Sequence, residues 1–575
     1  MKTLMTGNEA IARGAYEYGV RVAAAYPGTP STEILENLAK YPEIYSQWSP
    51  NEKVAMEVGV GAAIGGARTL VTMKMVGVNV AADPLFTVAY TGVRSGLILV
   101  SADDPGMHSS QNEQDNRYYA AFAKIPMLEP SDSQEAKEMI GLALDISEGF
   151  DTPVMVRTTT RIAHSQSLVE LNDPGERPLK AYAKDAKKYV MIPAYGRARR
   201  LVVEERMHKL AEYAETVSVN RLEMNDPQIG IITSGISYQY IKEGLPTASV
   251  LKLGLTNPLP AKLIQEFASK VEKLYVIEEL EPYLEKEIRA LGLEVTGKAL
   301  FPPYGELSAK MVREKILGEK NAQILPFEAP VRPPVMCPGC PHRGLFYTLK
   351  QLKLTVAGDI GCYTLGTMAP LEAMDTCICM GASISGALGL EKAHPEMAEK
   401  LVSVIGDSTF LHSGVTGLMD VVYNGGNSTV IILDNSITAM TGHQENPATG
   451  KTLMGTPAPQ VDFVALAKAL GIKRVTEVDP FDLDHVKEVV KTEVAAKEPS
   501  VIITRRPCAL IVKTSEPPVE VHDCTACKMC MKLGCPALSF DEANKTAVVD
   551  PSLCNGCGLC VNVCKFNALS KGGAN

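Results

Sequence analysis

Eight of the chain's fourteen cysteines fall within a 41-residue window, Cys524 to Cys564. They form two C-x-x-C-x-x-C runs that begin 30 residues apart, at Cys524 and Cys554. Each run is followed by one more cysteine, Cys535 or Cys564. Gaps this short suit metal clusters better than disulfides, and zinc is the rival metal such pairs allow. A second constellation closes an apolar run, 401-LVSVI-405, with Gly406-Asp407-Ser408. A helix is expected over about 413–423, and a second apolar run, Thr429 to Leu433, ends at Asp434-Asn435. Open α/β sheets bind ligands at the ends of parallel strands, and a helix N-terminus there offers unpaired N–H groups to a diphosphate. The plainer alternative is an ordinary βαβ unit with a strand-end aspartate.

Each cysteine run resembles the bacterial ferredoxin pattern, in which three cysteines hold one 4Fe–4S cubane and the fourth holds the other. That resemblance implies one cluster on Cys524, Cys527, Cys530 and Cys564, and another on Cys554, Cys557, Cys560 and Cys535. The sequence departs from the pattern twice: four residues rather than three precede Cys535, and Lys565 stands where proline usually follows Cys564. The strand-end segment resembles the thiamine-diphosphate motif, G-D-G followed by about two dozen residues and N-N. Here 26 residues separate Ser408 from Asn435. The match implies cofactor contacts from Gly406 and Ser408, and a Mg²⁺ ion held by Asp407, the Asn435 side-chain oxygen and the Ile437 carbonyl. Hard oxygen donors in an octahedron suit that ion. Ser408 replaces the last glycine and Asp434 the first asparagine, variations that resemble the ferredoxin-dependent branch of thiamine enzymes.

In that superfamily a second domain supplies a glutamate to the cofactor's pyrimidine ring. The stretch 51-NEKVAMEVGVGAAIGGAR-68 resembles the region in pyruvate:ferredoxin oxidoreductase, which makes Glu52 the activating acid and Glu57 the fallback. A solvent-facing glutamate at a helix N-terminus is the bland reading. Upstream, 26-YPGTPST-32 resembles the motif whose threonine contacts the substrate carboxylate, so Thr29 inherits that role, against the alternative of a proline-bounded turn. Residues 103–117 are long, polar and aperiodic, as an active-site loop would be; no individual role is assigned to His108 or Arg117. Cys337, Cys340, Cys362 and Cys508 sit in segments resembling those that ligate the cluster nearest thiamine, which implies a third 4Fe–4S cluster. Zinc binding or buried thiols are the rivals, and Cys377 and Cys379 are read as structural.

Taken along its whole length, the chain resembles the large subunit of indolepyruvate:ferredoxin oxidoreductases. The resemblance implies oxidative decarboxylation of arylpyruvates with CoA as cosubstrate and ferredoxin as electron acceptor. It also implies a smaller second subunit, with two copies of each in a hetero-oligomer. The alternatives are the same chemistry on pyruvate, 2-oxoglutarate or a branched-chain 2-oxoacid, or a thiamine-dependent decarboxylase without redox chemistry.

The elements that must position these residues alternate between helical patterns and short β-rich runs, such as 97-LILVSA-102 and 153-PVMVRT-158. That alternation predicts α/β domains with doubly wound parallel sheets, followed by a small ferredoxin-like α+β module. Expected boundaries are a pyrimidine-binding domain at 1–190, a linker at 191–225 with an amphipathic helix, and a middle α/β domain at 226–325. A diphosphate-binding domain at 326–515 and the cysteine module at 516–575 complete the chain. A proline-rich crossing at 325–341 links the second and third sheets. At 575 residues the chain is too long for one core. A net charge of −9 argues against a nucleic-acid surface. No apolar stretch reaches about 18 residues, and the N-terminus lacks a signal peptide's apolar core, so a cytoplasmic protein without a membrane span is expected.

Overall fold

A computed structural model of the chain describes residues 1–319, 330, 333–512 and 516–573. The chain divides into two compact units, Met1–Phe327 and Glu328–Asn575. Of the proline-rich crossing at 325–341, residues 325–329, 331 and 332 lie outside the described residues.

The first unit is built on a seven-stranded sheet. Its order is Leu255–Asn257, Met127–Leu128, Val154–Thr159, Leu97–Asp103, Thr69–Lys74, Val22–Ala25 and Tyr45–Trp48. All neighbours are parallel except the first pair. Leu97–Asp103 is buried along its whole length, as a central parallel strand covered on both faces must be. Because the strands run in one direction, the segments following Ala25, Lys74 and Asp103 emerge at the same sheet edge, where ligands bind in such folds. A second, four-stranded sheet in this unit is ordered Lys273–Ile277, Asp226–Ser234, Ala248–Leu253, Arg221–Glu223. The stretch read as a connector holds the helix Pro193–Ala214, which buries Val203, Arg206, Leu210 and Ala214. Those spacings of three and four residues place them on one stripe.

The second unit has a six-stranded parallel sheet ordered Thr376–Cys377, Thr355–Gly358, Leu401–Gly406, Thr429–Asp434, Ser500–Arg505, Arg474–Val478. The helix expected at 413–423 begins earlier. A short helix Asp407–Thr409, a π-turn Phe410–Gly414 and the helix Val415–Tyr423 follow one another without a break. Ser413-Gly414 reads as a helix start, but the wider π-turn carries the chain through it; such turns gather at functional sites. The cysteine module contributes two small antiparallel ladders, Glu520–Val521 with Leu569–Ser570 and Leu538–Asp541 with Thr546–Val549. The first ladder ties the beginning of the module to its end. Among the described residues no helix is long and apolar enough to cross a membrane.

Candidate active site and cysteine centres

Asp407 opens the helical stretch at the end of strand Leu401–Gly406 and is 3% exposed. Gly406 is required beside it, because a Cβ there would lie 2.9 Å from Tyr363 Cε1. At the end of the neighbouring strand, the Asn435 side-chain oxygen lies 3.2 Å from Asp407 Oδ1 and 2.7 Å from the Ile437 carbonyl. Three oxygens therefore face one another with no donor between them. Turning the amide would satisfy them as a hydrogen-bond network; a cation among them would hold the amide as it stands. Asp407 Oδ2 is also buried without a hydrogen-bond partner. Burial pushes the Asp407 carboxyl up to about 7, and the charge of Asp434 adds to the rise. A buried carboxylate with this surplus of oxygen fits a hard divalent cation.

The surrounding turn is held by other side chains. Asp434 accepts from the Ser436 amide at 3.0 Å and pairs with Arg505 at 3.1 Å. Ser436 adopts the left-handed region (φ 60°) on the way to Ile437. Thr438 donates to the Ser408 hydroxyl at 3.0 Å. Two residues escaped the sequence reading. Asn446 lies beside Asp407 and bonds Thr438. Asp359, at the end of Thr355–Gly358, accepts from the amides of Ile360, Gly381 and Ser383, and so fixes the start of helix Ala382–Ala393. Its one visible signal was an aspartate directly after an apolar run.

The backbone amide of Cys508 donates to the Asn435 carbonyl at 2.9 Å, so one of the remaining cysteines abuts this turn. Cys362 lies within electrostatic reach of Cys508 and Cys337, and Cys340 within reach of Cys337 and Cys362. Burial, reinforced by the other sulfurs, pushes Cys340 up to about 12 and Cys362 to about 11. The structure thus gathers all four. Among the described residues, no three His, Cys, Asp or Glu side chains close round a single ion.

In the C-terminal module the eight cysteines sort into two sets. Cys524, Cys527, Cys530 and Cys564 line one small cavity; Cys535, Cys554, Cys557 and Cys560 line another. The loops that wrap them bend alike. Ala526 and Lys528 have positive φ in the first run, as do Gly556 and Gly558 in the second, again 30 residues apart. Backbone amides of Ala547, Val519 and Ala568 donate to Cys524, Cys554 and Cys564 sulfurs at 3.3–3.4 Å. Such donors favour the thiolate, and they hold the Cys524 thiol below its usual range. The extra residue before Cys535 is accommodated by Gly534, which takes the left-handed region after the turn Cys530–Leu533.

In the first unit, Asn51 caps the helix Glu52–Ile64 by accepting from the Val54 amide at 2.9 Å. Glu52 is 5% exposed. Its carboxylate presses on Gly77, where a Cβ would come within 2.7 Å of Glu52 Oε1. Glu57, by contrast, faces solvent and pairs with Lys53. Lys74 joins Glu52 and Asp104 electrostatically, donates to the Ser109 carbonyl at 2.9 Å and packs its stem on Gly28. Ser109 in turn donates to the Thr29 carbonyl at 3.1 Å. Glu52, Thr29 and the 103–117 loop therefore meet at one edge of the sheet. Arg117 lies inside that loop's base, ion-paired to Asp115 and Glu278 and fully buried, a structural post. His108 is half-exposed and pairs with Glu306 at 3.3 Å.

Family models match three segments. Residues 13–224 match the thiamine-diphosphate-binding domain of pyruvate flavodoxin/ferredoxin oxidoreductases, 359–504 the C-terminal binding domain of thiamine pyrophosphate enzymes, and 547–570 a 4Fe-4S binding domain. With the folds above, these define a 2-oxoacid:ferredoxin oxidoreductase that uses thiamine diphosphate and an iron–sulfur centre. Indolepyruvate oxidoreductase subunit IorA of Archaeoglobus fulgidus is 41% identical over 100% of this chain and 98% of its own. The Pyrococcus horikoshii protein is 40% identical over 99% and 97%, and that of Methanothermobacter marburgensis 40% over 100% and 98%. The chain belongs to the IorA family of indolepyruvate oxidoreductase subunits.

Proposed function

We propose that this chain carries the thiamine and cluster chemistry of an enzyme that converts an arylpyruvate, CoA and oxidised ferredoxin into an arylacetyl-CoA, CO₂ and reduced ferredoxin. The observation that carries the reading is the Cys508 amide bonded to the Asn435 carbonyl, which sets a cysteine centre against the three converging oxygens. Thiamine diphosphate, when bound, supplies the electron sink that lets a 2-oxoacid lose its carboxylate. Asp407, Asn435 and the Ile437 carbonyl hold Mg²⁺, with Gly406 and Ser408 at the diphosphate. Glu52 holds a proton at the pyrimidine ring, and Thr29 orients the substrate carboxylate. Cys337, Cys340, Cys362 and Cys508, then Cys535, Cys554, Cys557 and Cys560, and then Cys524, Cys527, Cys530 and Cys564 would each hold a 4Fe–4S cluster, which would supply one-electron redox chemistry. The names of the relatives, each a subunit, support a second subunit; the family resemblance supports its being smaller and present with this chain in two copies of each. The domain limits that serve this reading are 1–190, 191–225, 226–325, 326–515 and 516–575.

Three cubanes amount to about twelve irons per chain. Cys508→Ala is expected to remove about four of them while the electron paramagnetic resonance signals of the C-terminal pair persist. About eight irons in the unaltered protein, or stoichiometric zinc, would count against the third cluster.

The substrate is tested on the complex reconstituted with its smaller subunit. Burying an aromatic side chain gains roughly 2–3 kcal/mol, far more than a methyl group. With the roughly 0.8 kcal/mol of a methyl group subtracted, indolepyruvate or phenylpyruvate is expected to exceed pyruvate and 2-oxoglutarate in kcat/KM by about tenfold or more. Equal or reversed efficiencies sink the substrate assignment and leave the cofactor chemistry standing.

A further inference from the structure

Arg343 sits in the first turn of helix His342–Leu352 and is 2% exposed. Its Nη2 donates to the carbonyls of Met336 and Cys337 at 2.6 and 3.1 Å. Its Nη1 donates to the carbonyls of Leu533 and Gly534 at 2.6–2.7 Å, nearly two hundred residues away in sequence. Nε is buried without a partner. Among the described residues no carboxylate pairs with this cation, since every acceptor it uses is a neutral carbonyl. An uncompensated buried charge is expensive; Arg117 and Arg157, also buried, are both paired to carboxylates. Arg343 also lines the space faced by Cys535, Cys554, Cys557 and Cys560. The two loops it ties together touch again at a second point. Gly339 (φ 69°) has no room for a Cβ beside Asn555, whose amide reaches the Pro338 carbonyl at 3.5 Å.

We propose that Arg343 is a positioning residue for electron transfer, which locks the Cys337–Cys340 turn onto the turn leading to Cys535 and supplies the counter-charge for the clusters on either side of it. Four thiolates round a cubane leave net negative charge, and a nearby fixed cation favours the reduced, more negative state and so raises the reduction potential. Arginine suits the place better than lysine, because its planar fork reaches four carbonyls at once and is less strongly hydrated. The inference rests on the cysteines holding clusters; if the unaltered protein binds no iron, that reading fails before this one is reached.

The test compares Arg343→Gln and Arg343→Lys in the full chain, purified anaerobically, by iron content and by potentiometric titration followed by electron paramagnetic resonance. Arg343→Gln is expected to keep its iron while at least one reduction step moves to a more negative potential. Arg343→Lys, which keeps the charge but not the fork, moves the same step less. Full iron with unchanged potentials in Arg343→Gln overturns the proposal. So does loss of iron from both variants alike, which would reduce Arg343 to a structural clamp. Loss from Arg343→Gln alone, with Arg343→Lys loaded, supports the counter-charge.

Discussion

Asp407→Ala is expected to abolish Mg²⁺-dependent binding of thiamine diphosphate. A diphosphate brings strong negative charge towards the buried carboxylates Asp407 and Asp434, and only a cation among the oxygens turns that repulsion into attraction. Without Asp407 the two remaining donors, the Asn435 amide and the Ile437 carbonyl, are neutral. Loss of outer-shell partners alone costs about 10–100-fold in metal affinity, so removing the charged ligand is expected to weaken cofactor binding by more than about a hundredfold. Titration calorimetry with Mg²⁺, and again with a chelator, reads this directly. Iron content serves as the folding control, because Asp407 belongs to no cysteine set. Tight cofactor binding by the variant, or chelator-insensitive binding by the unaltered protein, places the metal elsewhere.

The parts of this site that could be read from sequence are those written locally. The C-x-x-C-x-x-C repeat fixes both the sulfurs and the backbone bends between them within seven residues; the crossing of Cys564 to the first run and Cys535 to the second is not local and comes from the resemblance to the bacterial ferredoxin pattern. Asp407 and Asn435 were marked by apolar runs that end at them. What stayed hidden depends on contacts distant in sequence or on backbone with no periodic signature. The π-turn at Phe410–Gly414 leaves no spacing rule in a glycine- and serine-containing stretch. Asn446 reaches Asp407 from a loop that carries no pattern. Lys74 meets Asp104 and Glu52 because parallel strands end at one edge, and Arg343 meets Gly534 across 191 residues. In the sequence Asp434 stands where the motif has an asparagine; in the structure it holds the Ser436 turn and pairs with Arg505.

Glu52→Gln is expected to bind thiamine diphosphate yet exchange the cofactor's thiazolium proton about 10²–10⁴-fold more slowly, the usual worth of a positioned acid or base. The case rests on where the carboxylate is held. Asn51 caps the helix, Glu52 takes its first position, and Gly77 leaves the space the side chain fills. Glutamine keeps the shape and removes the proton-holding group, so binding and rate separate. Glu57, five residues on, points to solvent beside Lys53, and Glu57→Gln is expected to exchange at the unaltered rate. Gly77→Ala gives an independent check: the added methyl would meet Glu52 Cγ and Oε1 at 2.7 Å, displacing the carboxylate while leaving it in the sequence. Slow exchange in that variant, read by quench-flow with deuterium and nuclear magnetic resonance, ties the rate to the position of Glu52 and not merely to its presence. Normal exchange in Glu52→Gln removes this residue from the chemistry, and a slow Glu57→Gln moves the role one turn along the same helix.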